Sequence, residues 1–190
     1  MPGGVTTIPA GLIVLIGPPG AGKSSFADAL VEAGSVDPDD VVSSDSIAEM
    51  LFGPDYDSSR DPEIFGERNR RVREQLAAGR PVVADSTNVT RAARLGLLSL
   101  SRAAGRPATA IRFVLPLEAV LEQAGRRAKR VAEISWFHEQ MVESCSVEAL
   151  LDEGFDVVVD APTAESGASP EQAARAFRIA SSNSSSETSS

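Results

Sequence analysis

The chain has 190 residues, 42% of them apolar, one cysteine and a formal charge of −9. That length suits one domain with a sizeable core, and no apolar run approaches the roughly 20 residues needed to span a bilayer. An internal disulfide is excluded by the single Cys145, which fits a reducing cytoplasm, and no basic-then-apolar leader precedes the first strand. The charge is unevenly spread: residues 60–130 carry 15 basic and 7 acidic side chains, against 3 basic and 20 acidic elsewhere. A basic middle on an acidic chain points to a local anionic substrate rather than a nucleic-acid coat, although single arginines of this kind commonly just solvate helix faces.

Residues 1–10, rich in Gly, Pro and Thr, are expected to be a flexible lead-in. The run Leu12 to Ile16 reads as a strand buried on both faces. Gly17-Pro18-Pro19-Gly20-Ala21-Gly22-Lys23-Ser24 follows it and fits the phosphate-loop pattern at every fixed position. Glycines there aim backbone N–H groups at phosphate oxygens, Lys23 reaches the β- and γ-phosphates, and the Ser24 hydroxyl ligates Mg²⁺. Helix from about Lys23, with Ser25 in its first turn, to Ala33 puts a helix N-terminus under the anion.

A short strand is expected around Val41-Val42, then a helix from about Ser46 to Phe52, which Asp45 either caps or leaves free for catalysis. In a kinase, an aspartate at this place receives the proton of the acceptor hydroxyl. The next helix runs from Pro62 to about Ala78, with Ile64, Phe65, Val72 and Leu76 as its apolar stripe and Arg68, Arg70, Arg71 and Arg73 on the rest. Pro81 to Ala84 is a third strand ending at Asp85, which either serves Mg²⁺ or caps the following helix. That helix spans Thr90 to Ala104. A fourth strand covers Ala108 to Leu115, Pro116 opens a helix, and Phe155 to Val159 is the fifth strand.

Arg126-Arg127-Ala128-Lys129-Arg130 is either a lid over the triphosphate or a solvated helix face. Cys145, with no basic neighbour in sequence, reads as a packing residue. The alternation of elements predicts an α/β fold: a five-stranded parallel sheet with helices on both faces. The domain occupies residues 11–162, with a C-terminal extension at 163–180 opening a helix at Ser169-Pro170-Glu171 and running to about Ile179. A disordered serine-rich tail is expected over 181–190.

Three blocks carry a family resemblance: GPPGAGKSSFA, VVSSDSIAEMLFG and PVVADSTNVTRAARLGLLSLSRAAG. Together they resemble the kinase module of the polynucleotide 5′-hydroxyl kinases, and LPLEAVLEQAGRRAKRVAEISWFHEQM is similar to that module's lid. The resemblance covers roughly Gly11 to Asp160 and implies a P-loop kinase fold with a helical lid. It further implies transfer of the γ-phosphate of ATP, or another nucleoside triphosphate, to the 5′-OH of a nucleic acid with Mg²⁺. Carried over by position, Lys23 and Ser24 bind phosphates and metal, Asp45 is the general base, and Arg127, with Arg126 as its alternative, contacts the donor phosphates. Asp85 closes the third strand in the stretch similar to DATN, and Asn88 lies on the acceptor side. The sequence departs from the pattern at Ala48, where the family has an arginine that holds the acceptor's phosphate, and at Ala132, where proline is usual. Arg91, Arg94 or an arginine of the 62–78 helix then takes over that contact. Otherwise the acceptor is a small alcohol, such as a metabolite, nucleoside or antibiotic. A non-catalytic nucleotide-binding regulator is the third reading.

Overall fold

The computed structural model describes residues 4–124 and 131–180. Strands β2 (Leu12–Ile16), β3 (Val41–Ser43), β4 (Val82–Asp85), β5 (Ala108–Arg112) and β6 (Val157–Asp160) form a parallel sheet in the order β3-β4-β2-β5-β6. β2 is central: Leu12 pairs with Val82 on one side and Ala108 on the other. At the opposite end of the ladder Ser43 pairs with Asp85, which aligns the carboxyl ends of β3 and β4.

Alternation along β2 divides the interior into two layers, since successive side chains of a strand point to opposite faces. Leu12, Val14 and Ile16 join one buried cluster, and Ile13 and Leu15 join the other. The first cluster is covered by α2 (Ser44–Phe52), α3 (Asp61–Ala77), α4 (Arg91–Ala103) and α7 (Val147–Glu153). The second is covered by α1 (Lys23–Glu32), α5 (Leu117–Ala124) and α8 (Pro170–Arg175), while α6 (Val131–Ser144) supplies Met141 to the first and Ile134 to the second. No helix among the described residues is long and apolar enough to cross a membrane.

Four sequence expectations are corrected. The lead-in is not loose throughout: Thr6–Ile8 is a strand, β1, paired in parallel with β7 (Phe177–Ile179), and Ile8 is fully buried. The extension is helical only over α8, because its last residues turn into β7. It packs on α1, where Phe177 meets Phe26 edge-on with ring centroids 5.7 Å apart. Phe155 lies before β6 rather than in it, and Phe113 to Leu115 lie after β5. Finally, Asp45 does not cap α2: Ser43 does, accepting from the Ser46 amide, so Asp45 sits within the first helical turn. The lid arginines Arg126 and Arg127, the first three residues and the serine-rich tail at 181–190 lie outside the described residues.

Candidate active site

The phosphate loop joins β2 to α1 at the carboxyl edge of the central strand, where ligands of parallel sheets bind. Gly20 and Gly22 have φ of +83° and +92°, conformations that a side chain resists. Gly22 is the N-cap residue of α1, so the loop turns directly into the helix whose N-terminus favours an anion.

Lys23 is 7% exposed, and its Nζ donates to the Pro18 carbonyl at 2.8 Å, folding across the loop. Burial pushes its ammonium down to about 8, against the opposing pull of Asp85 and Asp45. Ser24, one residue on, donates its hydroxyl to Asp85 Oδ2 at 2.9 Å. Asp85 ends β4, is 6% exposed, and burial holds its carboxyl above the usual range despite the Ser24 hydrogen bond and nearby Lys23. Asp45, exposed in the first turn of α2, adds a second negative charge that is felt by both Lys23 and Asp85. The parallel register thus brings one cation, one hydroxyl and two carboxylates from the start of α1, the start of α2 and the end of β4 to one sheet edge.

A hydroxyl and a buried carboxylate within hydrogen-bonding distance are hard oxygen donors of the kind Mg²⁺ takes, usually one or two protein ligands beside water and phosphate. The raised Asp85 carboxyl fits a position whose charge a cation would neutralise. Among the described residues, no group of three or more His, Cys, Asp or Glu is placed to hold a metal by itself.

Two residues expected on the acceptor side have another role. Asn88, with φ of +49°, is buried, and its Nδ2 donates to the Leu15 carbonyl at 2.9 Å and, more weakly, to those of Ala84 and Ser86. It ties the ends of β2 and β4 together beneath the phosphate loop, and the Gly17 amide reinforces this by donating to the Thr87 carbonyl at 3.0 Å. Arg94 is 0% exposed, and its Nε and Nη2 form a two-pronged ion pair with Glu153 at 2.8 and 2.7 Å. Its Nη1 donates to the Asn88 and Val89 carbonyls, and Nη2 donates to that of Ser144. Arg94 is therefore an interior fastener among α4, α6 and α7 rather than a ligand contact. Arg91 remains exposed, 3.8 Å from Glu153.

Sequence reading missed Glu153 because its partner is distant in the chain. It also missed the basic neighbour of Cys145, whose Sγ lies 3.2 Å from Arg94 Nη1. Burial nonetheless raises the thiol's pKa, so Cys145 is a packed side chain. On α3 the expected stripe holds at Ile64, Val72 and Leu76, but its fourth buried member is Arg68 and not Phe65, which is 39% exposed. The four-residue spacing from Ile64 through Leu76 was the available signal.

The AAA domain family AAA_33 matches residues 12–145. Among solved structures, a sugar kinase from Janibacter sp. HTCC2649 is similar with a TM-score of 0.57 at 15% identity, over 87% of this chain and 91% of that one. A shikimate kinase from Acinetobacter baumannii in complex with shikimate is similar with a TM-score of 0.55 at 17% identity, over 86% and 88%. The Pnkp1/Rnl/Hen1 complex is similar with a TM-score of 0.50 at 24% identity, over 58% of this chain and 38% of that one. No curated protein matches. At these identities the structural likeness is one of fold, and the family match covers most of the chain. This chain belongs to the AAA domain family AAA_33 and has the P-loop kinase fold.

Proposed function

We propose that the chain is an ATP-dependent phosphotransferase that moves a γ-phosphate to the hydroxyl of a small acceptor. The observation that carries this is the meeting of Lys23, Ser24, Asp85 and Asp45 at the carboxyl edge of β2, β3 and β4. Lys23 and the loop amides hold the donor phosphates, with Gly17 to Ser25 as the cradle. Asp45 orients the acceptor hydroxyl and takes its proton as the new O–P bond forms, and the nucleoside diphosphate leaves with the electron pair of the broken bond. Ser24 and Asp85 would hold Mg²⁺, which when bound neutralises charge on the donor phosphates. Arg127 or Arg126 is the proposed lid contact to the donor.

The small-acceptor reading is supported over the polynucleotide one by ion pairs that engage part of the basic middle among the described residues. Arg70 pairs with Glu67 and Glu74, Arg71 with Glu67, Arg80 with Asp37 and Asp40, Arg94 with Glu153, and Arg112 with Asp160. Cations already paired within the fold are poor partners for a phosphate backbone, whose binding depends on free lysine and arginine. Ala48 is buried in the core cluster and supplies no cation to hold an acceptor phosphate. The sugar and shikimate kinases of similar fold act on small hydroxyl compounds by their names, which is consistent with this reading. The 5′-OH polynucleotide reading rests on the motif combination around Asp45 and Asp85 and on the Pnkp1-containing complex.

Transfer of label from [γ-³²P]ATP with Mg²⁺ to a panel of sugars, hydroxy acids, nucleosides and 5′-OH oligonucleotides tests the choice. Label in the small compounds is expected. Label on oligonucleotides alone would restore the polynucleotide reading, and nucleotide binding with no transfer to any class would favour a regulator.

A further inference from the structure

α3 turns four residues inward at a spacing of four, and three of them, Ile64, Val72 and Leu76, are core apolar side chains. The fourth is Arg68, 4% exposed. Its Nη1 is buried without a hydrogen-bond partner among the described residues. Its Nε and Nη2 donate only to the neutral Asn69 Oδ1, at 3.2 and 3.1 Å, and the guanidinium lies 4.9 Å from the centroid of the Phe65 ring. No ion pair to Arg68 exists among the described residues, whereas its outward neighbours Arg70 and Arg71 are both paired. A guanidinium does not shed its proton in proteins, so this is a buried, unneutralised cation. Such a group is costly for a fold to bury, and places where a sequence breaks local consistency in this way are expected at functional sites.

The facing helix shows the matching feature. α2 buries Ser44, Ile47 and Ala48, and the last two share a core cluster with Ile64 and Val72 of α3. Ser44 Oγ is also buried without a partner among the described residues. Ser44 adjoins Asp45, and Ala48 follows Asp45 by one helical turn. An orphaned hydroxyl and an orphaned cation thus belong to the inward faces of α2, the helix that carries the proposed base, and of α3, which shares its core cluster.

We propose that Arg68 binds an anionic group, carboxylate or phosphate, on a small acceptor whose hydroxyl is presented to Asp45, with Ser44 Oγ as a second polar contact. The proposal rests on the phosphotransferase reading and names the class of its acceptor. A planar guanidinium meets a carboxylate or phosphate with two parallel hydrogen bonds, which supplies the partner that Nη1 lacks. Ala48 has only a methyl where the sequence pattern would place an arginine, so the cation comes from α3 instead. Phe65, 39% exposed, is the ring contact of the guanidinium. A cation only 4% exposed suits one small anion and does not suit a strand tracking over exposed cations.

Two independent measurements test this. The first uses acceptor pairs that differ in charge: gluconate and glucose, shikimate and its methyl ester, and a nucleoside with and without a 3′-phosphate. The carboxylate and phosphate pairs tell the two sources of the anion apart. Wild type is expected to prefer a charged member by at least about tenfold in kcat/KM, through KM. Arg68→Met should abolish that preference with nucleotide Kd unchanged, and Arg68→Lys should restore part of it. Equal transfer to charged and neutral members, or an unchanged preference in Arg68→Met, would overturn the assignment. The second measurement does not depend on turnover: inorganic phosphate is titrated calorimetrically into protein saturated with Mg²⁺ and a non-hydrolysable ATP analogue. Wild type should bind phosphate and Arg68→Met should not, while the variant's Tm holds or rises because an unpaired buried charge is gone. Absence of phosphate binding by wild type, or a Tm loss in Arg68→Met with phosphate binding intact, would contradict the proposal even if no acceptor were found.

Discussion

The Ser24 hydroxyl donates to the Asp85 carboxylate across 2.9 Å, joining the first turn of α1 to the end of β4, 61 residues further along the chain. This bond is the point at which the phosphate loop and the end of β4 become one site. Ser24→Ala and Asp85→Asn should each weaken Mg²⁺-dependent ATP binding by at least about tenfold, the lower range seen when metal-site partners are removed. Calorimetry with and without Mg²⁺ checks this, and equal losses under both conditions would deny the pair a metal role.

Lys23 makes nucleotide binding depend on pH in a defined direction. The unfolded chain keeps this ammonium protonated up to the ordinary lysine value of 10.5, whereas the folded chain releases its proton near pH 8. Folding therefore gains from this group as pH rises from 8 to 10.5 and bears the cost of its buried charge below 8. Phosphate binding runs the other way, since it uses the ammonium. Affinity for Mg·ATP is expected to be level below pH 8 and to fall above it, with Lys23→Met weak and level throughout. A wild-type affinity that rises between pH 8 and 9.5 would contradict the assignment.

Arg94 and Glu153 are a structural pair, and breaking one side leaves a buried charge. Glu153→Ala should cost about 3–5 kcal/mol in urea unfolding, and the double change Arg94→Met with Glu153→Leu should cost less than either single change. An Arg94→Ala protein of full stability but raised acceptor KM would return this residue to the acceptor site.

The C-terminal extension belongs to the fold up to β7. A chain ending at Ala180 should keep its Tm, because the segment 181–190 that it loses, SSNSSSETSS, has no apolar side chain to bury. Ending at Ser169 removes Ala173, Ala174 and Phe177 from the α1 face and leaves β1 unpaired. Losses of a buried aromatic cost about 3–5 kcal/mol, and each kcal/mol is worth roughly 2–4 °C at this size. A fall of at least about 6 °C is therefore expected on heating. No change in Tm would show that the extension does not stabilise the domain.

The sheet was legible because buried parallel strands are short apolar runs set between glycine, proline and polar punctuation: β2, β4 and β5 all lie within the expected runs. The phosphate loop was legible because its geometry needs glycine at fixed places, as the left-handed Gly22 shows. What escaped depended on contacts between distant residues. Thr6–Ile8 has no strand signature of its own and is held by β7, some 170 residues away in the chain. Asn88 and Arg94 read as polar groups near a site, and only their bonds to Leu15, Val89 and Glu153 reveal them as supports beneath it. Arg68 was grouped with its solvent-facing neighbours because three adjacent arginines obscured a four-residue spacing that places it inside.

The central claim is that Asp45 accepts a proton from a hydroxyl while Lys23, Ser24 and Asp85 hold the donor. Asp45→Asn preserves the shape of the side chain and cannot take the proton. Measured against the acceptor that wild type labels best, its kcat should fall by about 10²–10⁴-fold with the Kd for Mg·ATP unchanged. A fully active Asp45→Asn enzyme would contradict the account.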